Sequence, residues 1–247
     1  MKYKNEAEFL AAYNPAEFDR PSVSVDILIF SVSSDAGENW RRANKKKFSV
    51  LLVQRTQYPY LGKWNLPGGF VGMTETSVDA AHRVLEGEAG VADKFYLEQL
   101  YTFDNPSRDP RTRIFSIAHM ALVDKSKLNY TGARTAKWFD VNLDDDKLTL
   151  DSGDIKLTEK DLAFDHAEII KMGIARMRGK IEWTDIVFDM MPPSFTLGEL
   201  QQVYEAILGK KLFAAAFRRT IAGKVVATGK MQTGLGHRPS ALYKAKK

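Results

Sequence analysis

The sequence predicts an α+β domain with a mixed sheet, followed by a small basic unit of two helices and a hairpin. Three observations lead there. β-branched apolar runs of strand length recur through the first part of the chain. Two segments instead carry apolar residues at helical spacing. After the paired prolines Pro192 and Pro193, a capped amphipathic helix, a second helix and a Gly-rich hairpin follow.

In chain order, "SVSVDILIFSV" (Ser22–Val32) and "FSVLLVQR" (Phe48–Arg55) read as strands. The polar "SSDAGENWRRANKKK" between them reads as an exposed hairpin loop. "YLEQLYTF" (Tyr96–Phe103), "RIFSIAHMALV" (Arg113–Val123) and "AKWFDV" (Ala136–Val141) continue the strand pattern. Ser77 to Ala89 places Val78, Ala81, Val84, Leu85 and Ala89 on one helix face, and Phe164 to Arg178 reads as a longer helix. Beyond "MMPPSF", Thr196 is an N-cap with Glu199 as its capping-box partner. Leu197, Leu200, Val203, Tyr204, Ile207 and Leu208 make the apolar face, and Gly209 stops the helix. "KKLFAAAFRRTIAGKV" offers a second helix with Phe217 and Ile221 inward and Arg218 and Arg219 outward. Two short strands around a Gly-rich basic turn close the chain, in the order of a winged helix-turn-helix. The expected division is 1–190 and 191–247.

Composition bounds the rest. With 44% apolar and 27% charged residues in 247, the chain can bury a core and is not expected to be disordered. No apolar run approaches the roughly 20 residues of a membrane span. The first residues carry acids and lack an apolar stretch, so no secretory signal is read there. The absence of cysteine excludes disulfides and thiolate metal sites and fits a cytoplasmic setting. The charge is unevenly spread. From Pro193 onward ten Lys or Arg face only Glu199 and Glu205, a net +8, which leaves −3 for the rest of the +5 chain. A basic tail on an acidic body points to a polyanionic partner; a solvated lysine-rich end is the plainer reading.

"PGGFVGMTETSVDAAHRVLEGEAGV" (Pro67–Val91) carries the most specific pattern. Counting from Gly69 brings Glu75, Arg83, Leu85, Glu88, Gly90 and Val91 to fixed positions. The pattern resembles the Nudix box, G-x5-E-x7-R-E-U-x-E-E-x-G-U with U apolar, and "GKWNLPGGF" resembles the approach to it. The resemblance implies a mixed-sheet α/β/α sandwich and a site that hydrolyses diphosphates with magnesium-type cations. The glutamates that hold those cations fall at positions 84, 87 and 88, one face of a helix. Here they are Val84, Gly87 and Glu88. One anion of three remains, Glu86 lies on another face, and no catalytic residue and no metal site is expected beyond residual magnesium at Glu88. Asp109, Asp151 and Glu168 are conceivable carboxylates from outside the box. Glu75 and Arg83 are retained, with a scaffold role or, for Arg83, ligand contact.

"RDPRTR" before the strand at Arg113 resembles ADP-ribose-type Nudix proteins. Arg108 and Arg111, with Arg55 at the end of "LLVQR", can meet a diphosphate through charge-assisted bidentate bonds. Phe70 and Phe103 can stack on a base or line a ribose pocket. The alternative is that the arginines pair with nearby carboxylates and the aromatics are core. His82, His119, His166 and His237 show no metal-ligand spacing, though "LAFDH" also resembles this group.

The degenerate box, "RDPRTR", "LAFDH" and "FTLGELQQVYEAILGKKL…FRR…GHRPSALY" together resemble the Nudix-related transcriptional regulators of NAD metabolism (NrtR), over about Ser22 to Lys244. The resemblance implies a homodimeric bacterial repressor. Its Nudix-like domain, needing no cofactor, senses ADP-ribose or a related NAD metabolite, and its winged helices bind a palindromic operator. Arg218 and Arg219 then supply recognition-helix donors, Lys224 and Lys230 meet phosphates, and Gly234, Gly236 and Arg238 form a wing tip. Ala214, Ala215 and Ala216 depart from the polar residues the family places there. The alternative is an active metal-dependent Nudix pyrophosphatase with an accessory basic domain.

Overall fold

A computed structural model describes residues 2–34, 46–89, 95–125, 136–232 and 239–246. A short helix α1 (Glu6–Ala12) precedes the long strand β1 (Ser22–Ser34). Then come β2 (Lys46–Gln54), the short strands β3 (Trp64–Asn65) and β4 (Gly68–Phe70), and helix α2 (Ser77–Ala89). Strands β5 (Tyr96–Phe103), β6 (Ile114–Leu122), β7 (Ala136–Asp144), β8 (Lys147–Asp151) and β9 (Lys156–Thr158) lead to helix α3 (His166–Lys180). The main sheet runs β5-β6-β1-β2-β7-β8-β9, with β3 on β2 and β4 on β1. β1 is parallel to β6 and antiparallel to β2 and β4, so the sheet is mixed.

Strand period explains the sandwich. Leu28 and Phe30 of β1 join the large core under α3, while Val25, Ile27 and Ile29 join the cluster under α2. A strand buried on both faces needs a continuous apolar run, which "DILIFSV" supplies. α3 lies so close to β1 that a Cβ on Gly173 would stand 2.0 Å from Leu28 Cδ2.

The second unit has β10 (Phe195–Thr196), α4 (Leu197–Leu208), α5 (Ala214–Ile221), β11 (Val225–Gln232) and β12 (Ser240–Ala245). Its strands form a separate sheet in the order β10-β12-β11. The capping box is present, with Glu199 N–H donating to Thr196 Oγ1 at 3.1 Å and Thr196 N–H to Glu199 Oε2 at 2.8 Å. Gly209 ends α4 at φ 69°, a left-handed cap that favours glycine. α4 buries Leu200, Val203, Tyr204 and Ile207, and their core is continuous with that under α3. Two polar ties dock it: Lys46 N–H donates to Gln202 Oε1 at 3.2 Å, and Arg178 Nε to the Ile207 carbonyl at 3.0 Å. Between β2, β7 and the α4–α5 turn lies a cleft of about 680 Å³.

The connector after Ser34 and the turn holding Gly234, Gly236 and Arg238 lie outside the described residues. Helix α1 and the strands β3, β4, β8, β9 and β10 are additions to the expected elements. Among the described residues no helix is long and apolar enough to cross a membrane.

Candidate functional site

The box forms the loop from β4 into α2. Arg83 closes it: Nη2 donates to the Phe70 carbonyl at 3.0 Å and to Glu75 Oε1 at 2.5 Å, and Nε to Glu75 Oε2 at 3.0 Å. The Gly72 amide donates to the same carboxylate at 2.7 Å. The Arg83 bonds, then the Gly72 amide, hold the Glu75 carboxyl below the usual range. Both retained box residues are thus spent on loop geometry, including Arg83, which was expected among the ligand contacts.

The positions expected to hold cations do not fit them. Val84 is 4% exposed and packs with Ala81 and Leu85 into the apolar cluster against Val25, Ile27 and Ile29. Gly87 is exposed, and a Cβ there would meet nothing within 4 Å. The Glu88 side chain lies outside the described residues. Among the described residues no three His, Asp or Glu side chains gather as a metal would need. Of the outside carboxylates, Asp109 is occupied by Arg111, Asp151 accepts from the Gly153 amide at 2.7 Å on β8, and Glu168 is exposed on α3.

"RDPRTR" and "LAFDH" meet each other. Arg108 is 7% exposed, donating from Nε and Nη2 to Asp165 at 2.9 and 2.7 Å and from Nη2 to Asp26 Oδ2 at 3.0 Å. Ser116 Oγ donates to Asp26 at 2.5 Å, and His166 Nε2 stands 3.4 Å from its other oxygen. The Leu66 amide donates to His166 Nδ1 at 2.9 Å. That bond requires an unprotonated Nδ1, so the imidazole is neutral with its proton on Nε2, aimed at Asp26. Burial pushes the Asp26 carboxyl up, but the hydrogen bonds from His166 and Ser116 and the Arg108 charge outweigh it, and the carboxyl lies well below the usual range. Gly68 is required here, since its Cβ would fall 2.7 Å from Asp26 Oδ1. Arg108 was expected to meet a diphosphate; two buried carboxylates need its charge instead. Phe103 was expected to line the pocket and is core, 7% exposed.

Around this clasp the remaining expected residues stay accessible. Phe70 is half exposed, and the Arg111 guanidinium lies 5.5 Å from its ring. Asp109 orients Arg111, accepting from Nε at 2.9 Å and Nη2 at 2.7 Å. Arg55 donates from Nε to the Pro59 carbonyl at 2.7 Å and lies over the Phe164 ring. Phe164 and its neighbour Tyr60 were not singled out in the sequence. Their one signal was an aromatic within "LAFDH" beside a motif that already carried weight.

In the second unit, α5 buries Phe217 and Ile221, with Phe217 edge-on to Tyr204 at 5.1 Å. Ala214, Ala215, Ala216, Arg218 and Arg219 are exposed, and both arginines are without a partner among the described residues. Lys230 is exposed on β11. Lys224 departs from its expected phosphate role: Nζ donates to the Thr184 carbonyl at 2.8 Å and pairs with Asp185 at 3.1 Å, tying β11 to the segment after α3.

Residues 187–245 match the NrtR DNA-binding winged helix domain, and residues 40–160 match the NUDIX domain. A curated relative, the "ADPR responsive transcriptional repressor NtrR" of Acinetobacter baylyi, is 34% identical over 99% of this chain and 90% of its own. The chain belongs to the NrtR family. Among solved structures, a MutT/nudix family protein from Enterococcus faecalis superposes with TM-score 0.78 at 27% identity, over 98% of this chain and 94% of that one. Shewanella oneidensis NrtR complexed with a 27mer DNA gives 0.68 at 29%, over 91% and 93%. The NUDIX domain of the same protein, complexed with ADP ribose, gives 0.50 at 28%, over 70% and 99%. An NrtR-type chain therefore joins a Nudix fold to a winged helix.

Proposed function

We propose that this chain is a cytoplasmic transcriptional repressor that acts as a homodimer on a palindromic operator and is released by ADP-ribose or a related NAD metabolite. The effector binds the Nudix-fold domain, roughly residues 1–190; the winged helix, 191–247, binds DNA. The observation that carries the reading is α5. It anchors Phe217 and Ile221 inside and holds Arg218 and Arg219 outside without protein partners, as a helix that meets phosphates and guanine edges must. Lys230 adds a phosphate contact, and Arg238 is the cation of the wing. On the effector side Arg55, Phe70 and Arg111 contact the ligand, while Arg83 and Arg108 hold the loops that present them. The box binds without cutting, because Val84 and Gly87 offer no cation ligand.

A gel shift with a palindromic duplex tests this. We expect a dimer-sized complex that weakens steeply with salt, as counterion release requires, and that ADP-ribose dissociates. Release requires that ADP-ribose prefer the non-binding arrangement of the two winged helices. A shift unchanged at saturating ADP-ribose removes that effector and leaves the DNA reading standing. Incubated with magnesium or manganese, ADP-ribose should remain intact; turnover abolished by Glu88→Gln would restore the enzyme.

A further inference from the structure

Helix α3 is tied at its two ends to different halves of the chain. At its start, Asp165 and His166 belong to the buried clasp with Arg108 and Asp26. In its last turn, Arg178 reaches the winged helix. Its Nε donates to the Ile207 carbonyl of α4 at 3.0 Å, and its Nη2 to the Leu143 carbonyl of β7 at 3.5 Å. Between these ends α3 is seated on β1 so closely that Gly173 has no room for a Cβ beside Leu28. Its 15 residues make a rod of about 22 Å, held by its own hydrogen bonds, so a displacement at one end reaches the other.

The two ends differ in how readily they release. Freeing Asp165 from Arg108 would strand a buried charge, which fixes the clasp end. Arg178 is partly buried and meets carbonyls; it has no carboxylate partner among the described residues. The Ile207 carbonyl is one of the last four of α4, which find no amide inside the helix, so a cation complements it there. Neutral acceptors can be exchanged for water, and this end can therefore open. The Gly209 cap of α4 touches the same group, since a Cβ on it would stand 3.0 Å from Arg178 Nη2. That cap, with Lys210 and Lys211, also lines the cleft of about 680 Å³ against β2 and β7, which leaves the turn before α5 room to shift. The other polar ties, Lys46 to Gln202 and Lys224 to Asp185, do not involve the helix that carries the clasp.

We propose that Arg178 is a latch that holds the winged helix in its DNA-binding arrangement, and that occupancy of the sensor site opens it through α3. This rests on the sensor reading above and names the step by which that site regulates DNA binding. Both half-sites of a palindrome are met only by winged helices held at a fixed spacing, so the tied arrangement is the one that binds. A ligand that prefers the open latch releases DNA by as much as that preference.

Two measurements on the full chain test the latch: fluorescence anisotropy with the palindromic duplex, with and without saturating ADP-ribose, and calorimetry with ADP-ribose alone. In wild type, ADP-ribose should weaken duplex binding about tenfold. Arg178→Met keeps an apolar stem and removes the donors. Without ADP-ribose it should bind the duplex about tenfold more weakly than wild type, and ADP-ribose should add no further loss. Its ADP-ribose affinity should rise, because linkage is reciprocal and the ligand no longer has a latch to open. Gly209→Asn suits a left-handed cap but crowds the guanidinium. It should act in the same direction, and it decides the matter if Arg178→Met folds poorly. Release of undiminished size in either folded variant overturns the latch. So does a joint fall in DNA and ADP-ribose affinity, which a merely structural tie would give. A wild type that ADP-ribose fails to release sinks the sensor reading itself; a variant that then binds the duplex as tightly as wild type sinks the latch as well.

Discussion

The loops around the Nudix box and the outer face of α5 both carry arginine, and they use it in opposite ways. Around the box, Arg83, Arg108 and Arg111 each pair with a carboxylate, respectively Glu75, Asp26 with Asp165, and Asp109. On α5, Arg218 and Arg219 stand exposed without such a partner among the described residues. A cation already matched by the protein defines a shape, and a small ligand is read by that shape. A cation left unmatched waits for a polyanion whose many phosphates supply the missing partners. Among these matched cations exposure still varies, from buried Arg108 to half-exposed Arg111.

The strongest way to break this contrast is Arg108→Met. It leaves Asp26 and Asp165 buried without their cation and should cost about 3–5 kcal/mol of stability in urea unfolding. A loss under about 1 kcal/mol would mean that water reaches the clasp and that it does not organise the cleft. The clasp also has a pH signature. Because the folded Asp26 carboxyl lies below the ordinary range, its contribution is complete above the unfolded value near pH ~4 and is lost as pH falls through the folded one. The urea midpoint of wild type should therefore show no loss from this group between neutral pH and about pH 5. In Arg108→Met the acid-side fall should begin at higher pH, since a cation that lowers the carboxyl is gone.

Arg218→Ala probes the other side of the contrast. It should weaken operator binding by about 1–3 kcal/mol and leave the urea midpoint unchanged. Fluorescence anisotropy at several salt concentrations separates base reading from phosphate contact, because a lost phosphate contact lowers the salt slope by about one. Lys224→Ala sharpens the comparison within the same unit. Its amine is already held by Thr184 and Asp185, so we expect lower thermal stability and an unchanged salt slope.

The smallest effect is a gain. A Cβ on Gly87 meets nothing, and the residue lies inside α2. Gly87→Ala should stabilise the chain by up to about 1 kcal/mol through helix propensity, with ligand and DNA affinities unchanged. A drop in melting temperature would show that the position needs glycine for a reason that lies outside the described contacts.

Local signals were legible in proportion to their periodicity. α2 spans the predicted Ser77–Ala89, and the Thr196–Glu199 box and the Gly209 cap of α4 fall where the residues asked for them. β3 and β4, two and three residues long, are too short to carry a period and exist because β1 and β2 offer edges for them. Site residues followed a different rule. That Arg108 belongs to Asp165, Arg111 to Asp109, and Lys224 to Thr184 and Asp185 depends on which carboxylate or carbonyl comes nearest. Two of those three pairings cross tens of residues.

By itself the sequence determined the α+β architecture, the winged-helix order of the tail, the loss of two box carboxylates and the basic charge of the last segment. These rest on residue type and spacing along one chain. Only the tertiary structure decided which arginines are spent and which remain, that Val84 is core, and that Phe164 lies against Tyr60, Arg55 and Arg111. Those depend on distances between segments far apart in the chain, where burial makes an unmatched charge expensive and so assigns each cation its nearest anion.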